Sequence, residues 1–138
     1  MREYKLILKG TLPGLNDYLR AERSFTRRGG KGHSCGNDMK QECQMLISNS
    51  IRLQLKRLRI HNPVFIRYSF YEPNRKRDLD NIAGVAHKFV QDSLVKCGVL
   101  ENDGWDNIIG FSDQFFLDRR NPRIEIIIQE EGGADEHT

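Results

Sequence analysis

Long apolar segments and paired cysteines are both scarce in this sequence of 138 residues. No apolar run approaches the roughly 18 residues that cross a bilayer, so we expect no membrane partner. The three cysteines show no CxxC spacing, which favours a reducing compartment over a disulfide framework. A glycine-rich phosphate loop with its lysine is missing, so we expect no nucleotide cofactor. Residues 1–10 alternate polar and apolar side chains and lack a signal-peptide pattern, so we expect a cytoplasmic protein.

The net charge of +3 conceals an uneven distribution along the chain. Residues 1–77 carry 17 Lys and Arg against 6 Asp and Glu, a net charge of +11. Residues 78–138 carry 5 against 13, a net charge of −8. A basic half suits a polyanion such as nucleic acid, and an acidic half can hold divalent cations. The alternative is that folding intermixes the two halves and that their difference has no function.

Hydrophobic periodicity predicts the secondary structure. Strands are expected where polar and apolar residues alternate, and helices where apolar residues recur every three or four positions. In chain order the predictions are a strand at 3–10, helices at 15–23 and 38–59, a strand at 60–73, a helix at 81–96, and strands at 108–119 and 123–129.

Two connections carry predictions of their own. Residues 24–37 combine glycines with basic residues and show no periodicity, which predicts a mobile basic loop. The strands at 108–119 and 123–129 are joined by Arg-Asn-Pro, so we expect a hairpin. Together the elements predict an α+β (mixed α/β) fold, a small mixed β-sheet packed with about three helices. We assign residues 1–129 to a single domain and residues 130–138 to a disordered acidic tail.

The segment NRKRDLDN, residues 74–81, places three basic residues directly before two aspartates. Asp78 and Asp80 lie where a strand is predicted to end and a helix to begin. Residues two apart in extended backbone point the same way, so both carboxylates can face one Mg²⁺, with Mn²⁺ as a substitute. The alternative is a structural turn, in which Asp80 caps the helix and Asp78 pairs with a neighbouring arginine. A third acid, Asp103, follows in the turn ENDGWD.

These segments resemble the RusA-type Holliday junction resolvases, especially their phage and prophage members. The resemblance is carried by KRDLDN, by a lysine and DSL in the following helix, and by CGVLENDGW. It is strong over residues 74–118, and LPGLNDYLRAER and NPRIEIII are similar too. It implies a RusA-like fold and a Mg²⁺-dependent, homodimeric endonuclease. Such an enzyme nicks four-way DNA junctions symmetrically during recombination and repair, here in a bacterial host.

The resemblance also assigns roles to individual residues. The three metal-binding aspartates of the family fall on Asp78, Asp80 and Asp103. The essential helix lysine falls on Lys88, eight positions after Asp80, whereas the best-known members have it four positions after. Gly84 stands at that nearer position. A further recurring aspartate of the family falls one helical turn beyond the lysine, on Asp92, which can instead pair with Lys88 at i, i+4.

We expect exposed basic side chains to bind the phosphate backbone of the DNA. Such contacts position the DNA without reading its sequence. The candidates are Arg75, Lys76, Arg77, Arg27, Arg28 and Lys31. For two aromatic residues we expect no direct role in function. His87 is predicted to be a surface residue of the helix, and Trp105 is predicted to pack over the acidic turn. Trp105 stacked on an unpaired base, and His87 helping proton transfer, are the functional alternatives.

The reach of Asp103 is a separate question, because a helix over 81–97 is about 25 Å long. Either the helix begins late, near Gly84, and the chain doubles back, or the partner subunit supplies part of each site. We favour the arrangement within one chain. A DNA-junction-binding protein without catalysis, and a protein whose charges are only surface, are the competing hypotheses.

Overall fold

The computed structural model describes residues 2–23, 25–28 and 31–132, with the backbone alone for 25–28 and 31–34. Helices and strands alternate irregularly along this range. In chain order they are β1 (Arg2–Lys9), α1 (Leu15–Glu22), β2 (Phe25–Arg28), β3 (Lys31–Ser34), α2 (Cys35–Gln54), β4 (Val64–Glu72), α3 (Leu79–Lys96), β5 (Ile108–Leu117) and β6 (Arg123–Glu130). None of the helices in the described part of the chain combines the length and the apolarity that a bilayer span needs.

The main sheet has four strands in the order β1-β6-β4-β5. Strand β6 runs antiparallel to both β1 and β4, whereas β4 and β5 are parallel and connected by α3. The mixed sheet packed with three helices confirms the predicted α+β fold. Alternate residues of β4, such as Ile66, Tyr68 and Phe70, are fully buried in a core shared with the helices, as the alternation of its sequence predicts.

Helix α3 lies at the centre of this core. Ile82, Ala86 and Phe89 recur at helical spacing and are buried, which explains why the segment folds as a helix against the sheet. The helix ends at Lys96, and Gly98 just beyond it has φ 78°, a left-handed conformation that favours glycine. Arg59 Nη1 donates to the carbonyl of Cys97 at 3.1 Å and satisfies one of the last carbonyls. The C-terminal end of α3 is therefore fixed.

The prediction of an irregular loop at 24–37 is wrong for the described residues of this segment, and residues 24, 29 and 30 lie outside them. Strands β2 and β3 pair antiparallel, with Arg28 opposite Lys31, and α2 begins at Cys35. Glycines weaken the strand signal here, although Gly-Gly between two short segments is itself typical of a hairpin. Helix α2 also ends earlier than predicted, because Lys56 adopts φ 54° shortly after its last turn.

The prediction of a hairpin between β5 and β6 is wrong as well. The two strands lie on opposite sides of β4 and do not pair with each other. Residues 118–122 cross the end of β4, where the N–H of Asp118 donates to the carbonyl of Glu72 at 2.8 Å. Of the predicted tail, Glu130 belongs to β6, and residues 133–138 lie outside the described residues.

Candidate functional site

Asp78 and Asp80 stand at the beginning of α3. Asp78 occupies the N-cap position with ψ 157°, and Asp80 lies in the first helical turn. Both residues are exposed. Within the described residues, neither carboxylate accepts a hydrogen bond or forms an ion pair, and Asp78 makes no side-chain cap. The positive end of the helix dipole favours negative charge at this place. Because Asp80 lies in the helix and not in extended backbone, the expectation that the two side chains point the same way from an extended segment is wrong. The chain presents two unpaired carboxylates at the start of one helix.

Arg77 does not neutralise these carboxylates. Its Nε and Nη2 donate to the two carboxylate oxygens of Glu72, at 3.1 and 2.9 Å. Its Nη1 donates to the carbonyl of Leu12 at 2.9 Å. Glu72 is buried, so this bidentate pair fastens the end of β4 to the loop before α1. Arg77, which the sequence predicts to hold DNA, is committed to the fold, and the alternative in which it pairs with Asp78 is not what the chain forms.

The other two basic residues of the segment 74–81 are exposed. Arg75 and Lys76 extend from a tight turn, in which the N–H of Lys76 donates to Asn74 Oδ1 at 2.9 Å. Arg75 and Asp78 both line a cleft of about 560 Å³. Apolar residues also line this cleft, among them Leu79 and Phe116. Positive and negative groups therefore flank one opening beside the start of α3.

Asn81, the last residue of the segment, has a structural role that the sequence analysis missed. Its Oδ1 accepts a hydrogen bond from the backbone N–H of Asn16 at 2.7 Å. Helix α1 begins after Gly14, which has no side chain to cap it, so Asn81 supplies the cap from α3. A Cβ on Gly14 would lie 2.7 Å from Asn81 Oδ1, which explains the glycine. A glycine at a helix N-cap is the sequence signal for this contact.

Asp103 lies beyond the other end of α3. The helix has 18 residues and is therefore about 27 Å long. Asp103 is exposed in the turn that follows it, where its N–H donates to Asn102 Oδ1 at 2.7 Å. The expectation that one chain unites the three aspartates is wrong, because α3 begins at Leu79 and not near Gly84. Among the described residues, no group of three His, Cys, Asp or Glu side chains is placed to hold a metal ion.

Lys88 is also separated from the carboxylates. It lies eight residues after Asp80, about 12 Å further along the helix axis. Its Nζ is 3.9 Å from Asp92 Oδ2, the i, i+4 pair that the sequence left open. Gly84, at the nearer position, faces α1, where an added Cβ would lie 3.2 Å from Leu15 Cδ2. The glycine thus makes room for α1 to pack on α3.

His87 and Trp105 do not lie where the sequence predicts. His87 is partly buried, and its Nε2 lies 2.7 Å from Asp113 Oδ1 on β5, with the ring against Phe111. Trp105 is 95% exposed, so it does not pack over the acidic turn. Of the basic residues predicted for DNA, Arg27 and Arg28 lie on β2 and Lys31 on β3. Their side chains lie outside what the structure describes.

Comparison with models of known protein families finds no match. Comparison with curated proteins finds no similar chain either. What the protein does must therefore be inferred from its own residues.

Proposed function

We propose that the protein is a Mg²⁺-dependent, structure-selective endodeoxyribonuclease that resolves four-way DNA junctions. The observation that carries this proposal is the pair of exposed carboxylates on Asp78 and Asp80, unpaired among the described residues. Several other acids of the chain are paired with a basic side chain, as Glu72 is with Arg77 and Asp118 with Arg123. Two like charges at the start of one helix repel each other, and a divalent cation held between them would remove that cost.

The donor set fits Mg²⁺. Carboxylate oxygens are its preferred protein ligands, and it commonly uses one or two of them together with water and substrate phosphate. Asp78 and Asp80 would hold the ion, and Mn²⁺ would be accepted by the same oxygens. When bound, the ion supplies a Lewis acid for a phosphodiester and lowers the pKa of a coordinated water. The helix N-terminus adds favourable potential for the phosphate next to it.

The basic side chains beside the two carboxylates support DNA as the substrate. Arg75 and Lys76 are exposed, and Arg75 shares the cleft with Asp78. Phosphate contacts of this kind position a duplex without reading its sequence, as a junction-selective enzyme requires. The resemblance to RusA-type resolvases supplies the junction, the homodimer and the cellular setting, the cytoplasm of a bacterial host during phage or prophage recombination and repair.

Asp103 enters the proposal through a second subunit. Since α3 separates it from Asp78 and Asp80 within one chain, the remaining arrangement is a site that two chains complete. Lys88 would stabilise charge on the phosphate in the transition state, again from whichever subunit brings it close. The proposed enzyme is therefore an obligate homodimer for catalysis.

The experiment is cleavage of a synthetic four-way junction by the purified protein in Mg²⁺. We expect paired, symmetric nicks that Asp78→Asn and Asp80→Asn abolish. Asp17→Asn is the matched control, because Asp17 is an exposed acid in the first turn of another helix, α1. No cleavage over a range of metals and junction sequences would overturn the proposal. Junction binding without cleavage would favour the non-catalytic alternative.

A further inference from the structure

Basic side chains gather where α2 ends. Residues 52–59, RLQLKRLR, contain four Lys and Arg and no Asp or Glu. Arg52, Lys56 and Arg57 are exposed, and none of the three forms an ion pair with any residue that the structure describes. The end of α2 therefore carries positive charge that the described part of the chain does not neutralise.

Helix α3 ends beside this segment and adds a further base. Lys96, in its last turn, is exposed and likewise has no ion pair with a described residue. Arg52 and Lys96 line one groove of about 350 Å³ between α2 and α3, together with polar side chains such as Gln41 and Gln44. We call the four exposed residues the basic surface: Arg52, Lys56, Arg57 and Lys96.

The acids on either side of Lys96 in the sequence have partners of their own. Asp92 Oδ2 lies 3.9 Å from Lys88 Nζ. Glu101 Oε1 lies 2.8 Å from His61 Nδ1. These acids are therefore not free to compensate the basic surface. Several uncompensated positive charges in one place attract a polyanion.

The segment that carries the basic surface is held at both ends. At the end of α2, the side-chain amide of Gln54 donates to the carbonyl of Ile7 on β1 and accepts from its N–H, both at 2.7 Å. After the segment, the N–H of Ile60 donates to the carbonyl of Val99 at 2.8 Å. A surface that is already ordered loses little conformational freedom when a ligand binds to it.

Lys56 adopts a backbone conformation that lysine rarely takes. Its φ is 54°, and among the described residues it is the only residue other than glycine with a positive φ. Glycine adopts this left-handed conformation without steric strain and is the usual residue just after the end of a helix. The chain thus places a charged side chain here at a cost in stability. Strained residues of this kind cluster at functional sites.

We infer that the basic surface binds the sugar–phosphate backbone of a DNA duplex, at a site separate from the two carboxylates. Lys96 stands 18 positions after Asp78 in the sequence, and α3 places roughly 27 Å between them. Lysine and arginine bind phosphate oxygens without reading the bases. The choice of DNA as the polyanion rests on the proposed function, because a four-way junction has duplex arms that extend away from the point of cleavage. The basic surface holds such an arm.

Fluorescence anisotropy of a labelled linear DNA duplex, titrated with the protein in EDTA, tests this inference. The wild-type protein should bind with an affinity that falls steeply with salt. Arg52→Gln/Lys96→Gln should weaken binding by at least about tenfold at about 0.1 M salt, and should lower the slope of log Kd against log salt by about 2, since each phosphate contact contributes roughly 0.9.

Lys9→Gln/Arg67→Gln is the matched control. It also removes one lysine and one arginine, both exposed, but from the face of the sheet that points away from the core. It should bind the duplex as the wild-type protein does, and thermal unfolding should show that both double variants are folded. The inference fails if the wild-type protein does not bind the duplex, or if the two double variants bind it equally well.

Lys56→Gly separates a role in binding from a role at the helix end. It should weaken duplex binding severalfold, while the melting temperature stays the same or rises, because glycine relieves the left-handed strain. Unchanged binding with a lower melting temperature would show that Lys56 serves only the end of α2. None of these measurements involves cleavage. Junction cleavage with duplex binding that ignores the basic surface would refute this inference alone, and a surface-dependent duplex binder without cleavage would refute the catalytic proposal alone.

Discussion

Arg77 binds Glu72 through two parallel hydrogen bonds at the end of β4, in the middle of a segment rich in exposed bases. Glu72 is buried, so its carboxylate depends on this one guanidinium. The adjacent Lys76 has no such role and is exposed. Two neighbouring basic residues therefore have different roles: Arg77 stabilises the fold, and Lys76 faces solvent.

Arg77→Met should lower the free energy of unfolding by about 3–5 kcal/mol, because it leaves a buried carboxylate without a partner. Lys76→Met, the matched control, should change it by no more than about 0.5 kcal/mol. Urea unfolding followed by circular dichroism measures both. If Arg77→Met kept full stability and only weakened DNA binding, Arg77 would be a phosphate ligand and the structural role would be wrong.

Asn81→Ala should lower the free energy of unfolding by about 1 kcal/mol, because α1 loses the cap that Asn81 supplies to Asn16. Gly14→Ala should also destabilise, since its Cβ would collide with the Asn81 amide. The double variant should lose less than the sum of the two single losses, because the collision disappears with the amide. Strict additivity in urea unfolding would show that the two residues do not interact as described.

Arg123 should make stability depend on pH in the acid range. Its guanidinium lowers the pKa of Asp118 and of Glu125, with which it forms ion pairs at 2.8 and 2.7 Å. A carboxylate with a lowered folded-state pKa stabilises the protein above its ordinary pKa of about 4 and loses that contribution as pH falls through the lowered value. Arg123→Gln should therefore lower the melting temperature at pH 7, and the difference from wild type should shrink by pH 2.5.

Differential scanning calorimetry at the two pH values checks this. The guanidinium of Arg123 also lies 3.8 Å from the centroid of the Tyr71 ring, so a part of the difference should persist in acid. A melting-temperature difference that is the same at pH 7 and pH 2.5 would contradict the account of the two carboxylates. Arg120→Gln, an exposed base in the same connection, is the control and should have little effect at either pH.

Apart from β2 and β3, the sequence predicts the helices and strands of this fold, but it does not predict which strands pair. Ile66, Tyr68 and Phe70 alternate with polar residues and are buried on one face of β4, and the apolar spacing of α3 is equally direct. The order of strands is a different matter. A five-residue connection at 118–122 looks like a hairpin, yet it is long enough to cross β4, since two strand spacings are only about 10 Å.

For the site, the sequence indicates which residues carry chemistry but not where they meet. Asp103 is remote from Asp78 because α3 separates them. The sequence does not fix the length of α3, since it allows a start near Gly84, whereas the helix begins at Leu79. The commitment of Arg77 to Glu72 was equally hidden, because a partner five residues earlier on a strand leaves no periodic signal. The exposure of Trp105 could not be predicted either, because no feature of the neighbouring sequence distinguishes an exposed tryptophan from a packed one.

The central claim is that two subunits complete one nuclease site, and mixed dimers test it most directly. Asp78→Asn subunits mixed with Asp103→Asn subunits should regain junction cleavage, because one of the two sites then receives both wild-type aspartates. Wild-type subunits in heterodimers with the double variant Asp78→Asn/Asp103→Asn should have none. The contradicting result is the reverse pattern, no cleavage from the mixed single variants and about half activity from the wild-type heterodimer, which would place each site within one chain.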